Sequence, residues 1–132
     1  MVSDHTPERP IRLVIVDDDA GIRTLLEVTI SLDPRFELAG AASSGAECTA
    51  LCGALEGVDV VLLDVTLPDA DGIELLGPLR LVSGDAKVAL FTGWSDAETL
   101  ARARDAGADA VFAKDGEPQR LLDGLAGLVG RA

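Results

Sequence analysis

Five short apolar segments, each followed by residues with helical spacing, constrain the fold of this chain more than any other feature. The first, third and fourth segments are almost continuous in Val, Leu and Ile, as is typical of parallel strands covered on both faces. Fivefold alternation of strand and helix predicts an open parallel α/β sheet with helices on both faces. The five predicted strands are Arg12–Val16, Phe36–Ala41, Val58–Leu63, Lys87–Phe91 and Ala110–Ala113.

The segments that follow the strands show the three- and four-residue spacing of amphipathic helices. Ser95, with Glu98 three residues later, predicts a capping box at the start of one helix. Pro78 lies inside the segment Ile73–Val82 and predicts a kink or an early helix end there. Right-handed crossovers in a chain of 132 residues favour a flavodoxin-like, doubly wound, five-stranded sheet of order 2-1-3-4-5. The helical spacing is clearest in Ile22–Thr29, Cys48–Leu55 and Leu121–Val129.

The net charge of the chain excludes several classes of partner. Eleven basic and 23 acidic residues give a formal net charge of −12. Binding to nucleic acid depends on Lys and Arg that neutralise phosphates, so we expect no direct nucleic-acid contact by this domain. An anionic membrane surface is disfavoured for the same reason. We see no signal-peptide pattern and no run of 18 apolar residues, so we expect a cytoplasmic protein with no membrane association.

Single residue counts exclude further kinds of site. The one histidine, His5, lies in residues 1–10, which we expect to form a flexible leader before a single domain at residues 11–132. A Ser-His-Asp or Cys-His nucleophilic centre is therefore not expected. Cys48 and Cys52 are four residues apart and share a helix face with leucines, so we interpret them as small buried apolar residues. Two cysteines and one leader histidine do not supply four ligands for zinc.

Polar residues follow four of the predicted strands at the points where those strands end. In a doubly wound sheet, ligands bind beyond the carboxyl ends of the strands, where the strand order reverses. Each residue taken separately has an ordinary interpretation as a solvated turn, a helix cap, a β-former or a surface cation. Their coincidence at one edge of the sheet favours a functional site. The residues are Asp17, Asp18 and Asp19 after the first strand, Asp64 after the third, Thr92 at the fourth and Lys114 at the fifth.

The chemistry of this set indicates phosphoryl transfer. Converging carboxylates repel one another, and a hard divalent cation relieves that repulsion. Oxygen-only ligands select Mg²⁺ or Mn²⁺ over zinc. A carboxylate beside the cation can attack phosphorus and form an acyl phosphate. Lysine, hydroxyl and backbone N–H donors then stabilise the charge on the transferred phosphoryl oxygens.

These residues resemble the receiver domain of two-component response regulators, over almost the whole chain from about Ile11 to Val129. The resemblance implies that Asp64 is the phosphoacceptor. It also implies that Asp17 and Asp18 are the acidic metal pair, with Asp18 the direct ligand, and that Thr66 contributes its backbone carbonyl to Mg²⁺ (or Mn²⁺). The motifs that carry the resemblance are Val16–Asp19, Leu62–Gly72, Phe91–Gly93 and Ala113–Lys114.

The same resemblance implies a switch around the fourth and fifth strands. Thr92 corresponds to the hydroxyl that moves onto the phosphoryl group, and Lys114 to the lysine that pairs with it. The switch position that is commonly aromatic is Val111 here, and the aromatic residue is displaced to Phe112. Trp94 is a candidate substitute for that aromatic, with an exposed loop or helix-start residue as the alternative interpretation.

Partners are also implied by the resemblance. We expect a histidine kinase as phosphodonor and a downstream protein or fused output domain as receiver of the signal, with no activity on external substrates beyond self-directed phosphotransfer and autodephosphorylation. Lys114-Asp115 replaces the common Lys-Pro and resembles a subgroup with helix-turn-helix output domains. This favours a DNA-binding transcriptional regulator as parent, against a stand-alone regulator. Arg102 and Arg104 lie in a predicted helix, where a phosphorylation-linked homodimer and simple solvation are both open.

Two other functions compete with this interpretation. An aspartyl-nucleophile phosphohydrolase of the haloacid-dehalogenase type places a second acid two residues after the nucleophile, where this chain has Thr66. A receiver-like interaction module that is never phosphorylated is favoured only by the missing aromatic at Val111.

Overall fold

Five parallel strands in the order β2-β1-β3-β4-β5 form the central sheet of the computed structural model, which describes residues 9–93 and 96–131. Every pair of neighbouring strands is parallel. The predicted fold class and strand order are confirmed. The strands are β1 (Ile11–Val16), β2 (Phe36–Ala42), β3 (Val60–Asp64), β4 (Lys87–Thr92) and β5 (Ala110–Ala113). The helices are α1 (Ala20–Ser31), α2 (Gly45–Ala54), α3 (Leu76–Ser83), α4 (Ala97–Asp105) and α5 (Pro118–Leu128).

Alternate residues of the central strands contribute to two separate cores. Ile11, Leu13 and Ile15 of β1 belong to the core that α1 and α5 cover. Val14 and Val16 belong to the opposite core, which α2, α3 and α4 cover. Because successive strand residues point to opposite faces, a strand covered on both sides must be apolar throughout. This explains the continuous Val, Leu and Ile runs of β1, β3 and β4.

Two helix starts differ from the sequence prediction. Asp96 caps α4, and its side chain accepts a hydrogen bond from the Thr99 backbone N–H, so the predicted capping box at Ser95 was wrong by one residue. Ser95 itself lies outside the described residues. Pro78 is the third residue of α3, so it neither kinks nor ends the helix. The first turn of a helix has no intrahelical partner for its N–H groups, and proline is therefore tolerated there.

Other boundaries moved slightly, and the two cysteines behave as expected. β3 runs from Val60 to Asp64 and therefore includes the aspartate that was predicted to follow it. Cys48 and Cys52 are both free thiols, and α2 buries them in the core. Residues 1–8 of the predicted leader lie outside the described residues. None of the helices in the described part of the chain has the length and apolar character of a membrane span.

Candidate functional site at the carboxyl edge of the sheet

Three aspartates meet where β1 and β3 end. A carboxylate oxygen from each of Asp17, Asp18 and Asp64 lies within 4.8 Å of the others. Asp17 and Asp64 are 1% and 3% exposed, whereas Asp18 is exposed. This combination leaves two carboxylates out of water and a third at the surface. The sequence prediction that these side chains converge is therefore confirmed by geometry, although their roles are a separate question.

Lys114 completes the cluster from the end of β5. Its Nζ lies 2.8 Å from Asp17 Oδ2 and 3.0 Å from Asp64 Oδ2, so one ammonium bridges both buried carboxylates. The same Nζ lies 5.5 Å from the centroid of the Phe91 ring, within cation–π range. Burial lowers the pKa of Lys114, but hydrogen bonds and attraction to Asp17 and Asp64 outweigh it, and the net shift is upward. The lysine therefore stays charged at neutral pH.

Burial is the main reason that the pKa of Asp64 is raised. The Asp17 charge adds to this rise, whereas the Thr66 N–H and the Lys114 ammonium oppose it. Thr66 N donates to Asp64 Oδ1 at 3.0 Å, which fixes one carboxylate oxygen. Oδ2 then faces Lys114. Keeping a buried carboxylate ionised costs free energy, and a bound cation would lower that cost.

Asp17 is held by contacts from α1. Its Oδ1 accepts the Asp19 N–H at 2.9 Å, and its backbone carbonyl accepts Arg23 Nη1 at 2.6 Å. Asp19 caps α1 by accepting the Gly21 and Ile22 N–H groups, which is its expected helix-terminal role. Arg23 could not be predicted from the sequence, because no sequence pattern indicates that its long side chain reaches back six residues to Asp17.

The loop at residues 65–72, which follows Asp64, folds into a tight hairpin. Leu67 N donates to the Ala70 carbonyl at 3.1 Å, and Gly72 N donates to the Val65 carbonyl at 2.7 Å. A Cβ on Gly72 would lie only 2.2 Å from the Asp64 carbonyl oxygen, so the hairpin returns directly against the acidic site. The close approach requires glycine at this position.

The two hydrogen bonds of the hairpin flank a bridge between Thr66 and Asp71. Thr66 and Asp71 therefore face each other without exchanging hydrogen bonds, as in the non-hydrogen-bonded pairs of antiparallel strands. The Thr66 N–H is directed to Asp64 Oδ1, and its carbonyl has no hydrogen-bond donor among the described residues. That carbonyl is available to a further ligand, as the resemblance implies.

The predicted switch residues are only partly brought to the site. Thr92 is 3% exposed at the end of β4, the strand that pairs with β3. Val111 is half-buried and packs on the core under α2, α3 and α4. Phe112 points to the other face, where its ring lies 2.4 Å from the place of a Cβ on Gly124 of α5. The displaced aromatic therefore does not replace the one expected at position 111, and Trp94 lies outside the described residues.

The residues present fit a hard divalent cation. Asp17 Oδ2 is fully buried, and its one close partner in the described part of the chain is the Lys114 ammonium at 2.8 Å. Asp18 and Asp64 supply further oxygens, and the Thr66 carbonyl is open. An all-oxygen set with an exposed side is what Mg²⁺ prefers, because this ion retains several waters.

Comparison with known proteins decides the family. The family model of the response regulator receiver domain matches residues 13–126. The chain belongs to the response regulator receiver domain family. It is 32% identical over 118 residues to the nitrate/nitrite response regulator protein NarL of Escherichia coli K12, which covers 89% of this chain and 54% of that protein. This receiver domain therefore spans about half the length of that curated relative.

Two solved structures support the same assignment. The signal receiver domain of the response regulator NarL from Mycobacterium tuberculosis superimposes with a TM-score of 0.85 at 26% identity, over 94% of this chain and 100% of that one. A response regulator from Burkholderia pseudomallei, solved with a phosphorylated aspartic acid, calcium ion and citrate, has a TM-score of 0.75 at 25% identity. That match covers 86% of this receiver domain and 65% of the other chain.

Two polar links around the receiver site had no signal in the sequence. Asp69 accepts the N–H groups of Gly45 and Ala46 at 2.7 and 3.0 Å, which fastens the 65–72 loop to the start of α2. Arg102 of α4 donates to Asp71 Oδ2 at 2.9 Å. Sequence reasoning had left Arg102 open to a partner subunit or to solvent, whereas the structure pairs it within the chain.

Proposed function

We propose that this receiver domain accepts a phosphoryl group on Asp64 from a phosphohistidine of a histidine kinase, with Mg²⁺ or Mn²⁺ bound at Asp17, Asp18, Asp64 and the Thr66 carbonyl. The observation that carries the proposal is the convergence of three carboxylates, two of them buried, with one lysine at the edge where a doubly wound sheet binds ligands. The phosphorylated aspartic acid in the Burkholderia relative supports it.

The covalent step follows from the arrangement around Asp64. A carboxylate oxygen attacks phosphorus and forms an acyl phosphate, while the P–N bond of phosphohistidine breaks and its electron pair returns to the imidazole nitrogen. The imidazole then takes up a proton from solvent. Asp64 Oδ1 is fixed by the Thr66 N–H, so Oδ2 is the oxygen nearer the positive groups. A divalent cation supplies charge neutralisation for the transferred oxygens.

Lys114 and Thr92 stabilise the product. The ammonium that now bridges Asp17 and Asp64 is within reach of an oxygen bonded to the Asp64 carboxylate. Thr92 ends the strand that pairs with β3, and its hydroxyl is a candidate donor on that side. Both groups supply positive charge or a hydrogen bond where phosphoryl charge develops. The added charge changes the surface near β4, β5 and the following helices.

The output of the signal is proposed from the relatives. The match to about half of NarL supports a receiver that acts on an attached or separate output domain, and Lys114-Asp115 favours a DNA-binding transcriptional regulator as the parent. The net charge of −12 supports an indirect route to DNA, through that output domain.

Intact-mass spectrometry after incubation with acetyl phosphate or phosphoramidate tests the proposal. With Mg²⁺ we expect a species heavier by one phosphoryl group, and we expect EDTA to abolish it. Asp64→Asn removes the nucleophile, so this variant stays unmodified. Equal modification of the wild type and of Asp64→Asn would contradict the proposal, and so would the absence of any modified species. Sustained turnover of a phosphomonoester would favour the phosphohydrolase alternative.

A further inference from the structure

The hairpin beside the acidic site is connected to α4 through one ion pair. Arg102 Nη2 lies 2.9 Å from Asp71 Oδ2, and the two side chains are 45% and 31% exposed. The other oxygen of Asp71 accepts the Ile73 N–H at 2.8 Å, which fixes the carboxylate on the hairpin. Arg102 therefore meets a carboxylate that is already oriented.

A cleft lies between α4 and the hairpin at the surface of the molecule. Its volume is about 410 Å³, and Thr66, Asp71, Thr92 and Arg102 are among the residues that line it. Within the described residues, the Arg102–Asp71 pair is the one polar side-chain contact between α4 and the loop at residues 65–72. Leu67 of the loop and Ala103 of α4 both belong to the core beneath this cleft, and the ion pair is the polar link between the two elements at its surface.

The contact reaches the acidic site through the backbone. Asp71 faces Thr66 across the hairpin bridge, and the Thr66 N–H holds Asp64 Oδ1. A displacement of Asp71 therefore shifts the Thr66 peptide unit and the open carbonyl beside it. The Val111 position, where an aromatic switch is expected, offers no large ring to connect the site with α4.

We propose that Asp71 and Arg102 are positioning residues, whose ion pair holds the Thr66 carbonyl in place for a divalent cation and couples occupancy of the site to α4. The inference rests on the proposed function, because it names regulation of the same site. Asp71 and Arg102 bind no cation themselves; they act through Thr66. Binding of the cation fixes the hairpin, the hairpin fixes Asp71, and Asp71 retains Arg102 and the helix that carries it.

Titration calorimetry with Mg²⁺ alone tests the positioning role on the intact chain. We expect Arg102→Ala to weaken Mg²⁺ binding about 3- to 5-fold, which is the range for losing a partly exposed ion pair. Arg102→Lys keeps the charge and should bind Mg²⁺ close to the wild-type affinity. Asp71→Asn keeps the oxygen that accepts the Ile73 N–H, and it should weaken Mg²⁺ binding as much as Arg102→Ala does. The double variant should lose no more Mg²⁺ affinity than either single variant, because each single substitution already removes the ion pair.

Amide hydrogen exchange tests the coupling to α4. In the wild type we expect Mg²⁺ to slow exchange in residues 97–105, and we expect this difference to be lost in Arg102→Ala. Arg104→Ala is the matched control, since Arg104 is an exposed arginine on the same helix and should leave both measurements unchanged. If Arg102→Ala binds Mg²⁺ with wild-type affinity, the inference is overturned while the proposed function stays intact. If Arg104→Ala loses as much Mg²⁺ affinity as Arg102→Ala, the inference is overturned as well. A wild-type protein that binds no Mg²⁺ would overturn both.

Discussion

At the scale of single residues, Asp64, the proposed phosphoacceptor, carries a cost to folding. It is 3% exposed, and burial raises the pKa of its carboxyl group. Asp17 lies beside it at 1% exposure, and Lys114 is the cation that contacts both. Two buried carboxylates against one ammonium leave an excess of negative charge in a poorly solvated place. Such clusters are typical of sites that have been shaped for chemistry at the expense of stability.

Replacing Asp64 by asparagine should therefore stabilise the metal-free protein at neutral pH. The folded pKa of Asp64 lies above its ordinary value of 3.8, so the folded state binds more protons than the unfolded state in the interval between them. The free energy of unfolding then falls as pH rises from about 3.8 through the folded pKa. Asp64→Asn should remove this part of the pH dependence. Urea denaturation with EDTA at pH 4 to 8 measures both effects.

Asp18→Asn is the control for that measurement, because Asp18 belongs to the same cluster but is exposed. Its effect on metal-free stability should stay within about 0.5 kcal/mol, as for other surface substitutions. A destabilised Asp64→Asn protein at pH 7 would contradict the account of a strained carboxylate.

The acidic cluster and Lys114 could be predicted because each stands directly at a strand end, where topology alone determines position. Arg23 and Arg102 could not be predicted in the same way. Their guanidinium groups lie at the ends of long side chains, so their partners depend on how α1 and α4 pack against the sheet. The sequence predicts that Val111 stands where an aromatic switch residue is expected, but only the structure shows that the neighbouring Phe112 ring packs on the opposite face of the sheet.

At the scale of structural elements, the hairpin at residues 65–72 depends on Gly72. A Cβ at this position would lie 2.2 Å from the Asp64 carbonyl oxygen, which is backbone and cannot move aside cheaply. Gly72→Ala should therefore lower the free energy of unfolding by about 1–3 kcal/mol, the usual cost of overpacking. It should also weaken Mg²⁺ binding, because the hairpin carries Thr66. Urea denaturation and calorimetry measure the two effects.

Gly127→Ala is the matched control for Gly72→Ala. Gly127 is exposed in α5, and no atom outside its own helix backbone and chain neighbours comes within 4 Å of a Cβ built there. Alanine should stabilise this helix by about 0.5–1 kcal/mol, because glycine loses more backbone freedom on folding. A Gly72→Ala protein as stable as Gly127→Ala would show that the hairpin does not press on the site.

Elements were predicted more reliably than their ends. The apolar runs predicted all five strands, and they are almost continuous in β1, β3 and β4 because burial on both faces leaves little room for polar residues. Helix starts depend on local competition between neighbouring polar residues: Asp96 caps α4 where Ser95 was expected. The sequence predicts a kink or an early helix end at Pro78, whereas α3 begins at Leu76, so that the proline lies in its first turn.

At the scale of the whole molecule, the net charge of −12 divides into a dispersed part and a concentrated part. Many acids are exposed caps or ion-pair partners, for example Asp19 and Asp123. Asp17, Asp18 and Asp64 are concentrated at one edge and are opposed there by Lys114. A divalent cation should therefore stabilise the protein by binding at this edge, rather than by screening charges over its whole surface.

Mg²⁺ at ten times its dissociation constant should raise the free energy of unfolding by about 1.4 kcal/mol. The gain should be absent in Asp18→Asn, which lacks one of the oxygen ligands. Urea denaturation at constant ionic strength, with Na⁺ replacing Mg²⁺ in the reference, separates specific binding from screening. An equal gain in wild type and Asp18→Asn would assign the effect to general charge screening.

The central claim is that Asp64 carries the phosphoryl group, and the most direct test is to locate the modified residue. Borohydride reduces an aspartyl phosphate to homoserine, which peptide sequencing by mass spectrometry identifies at a single position. After treatment with acetyl phosphate and Mg²⁺, we predict homoserine at position 64 and unchanged aspartate at positions 17 and 18. Homoserine at position 17 or 18, or unchanged aspartate at all three positions, would contradict the account.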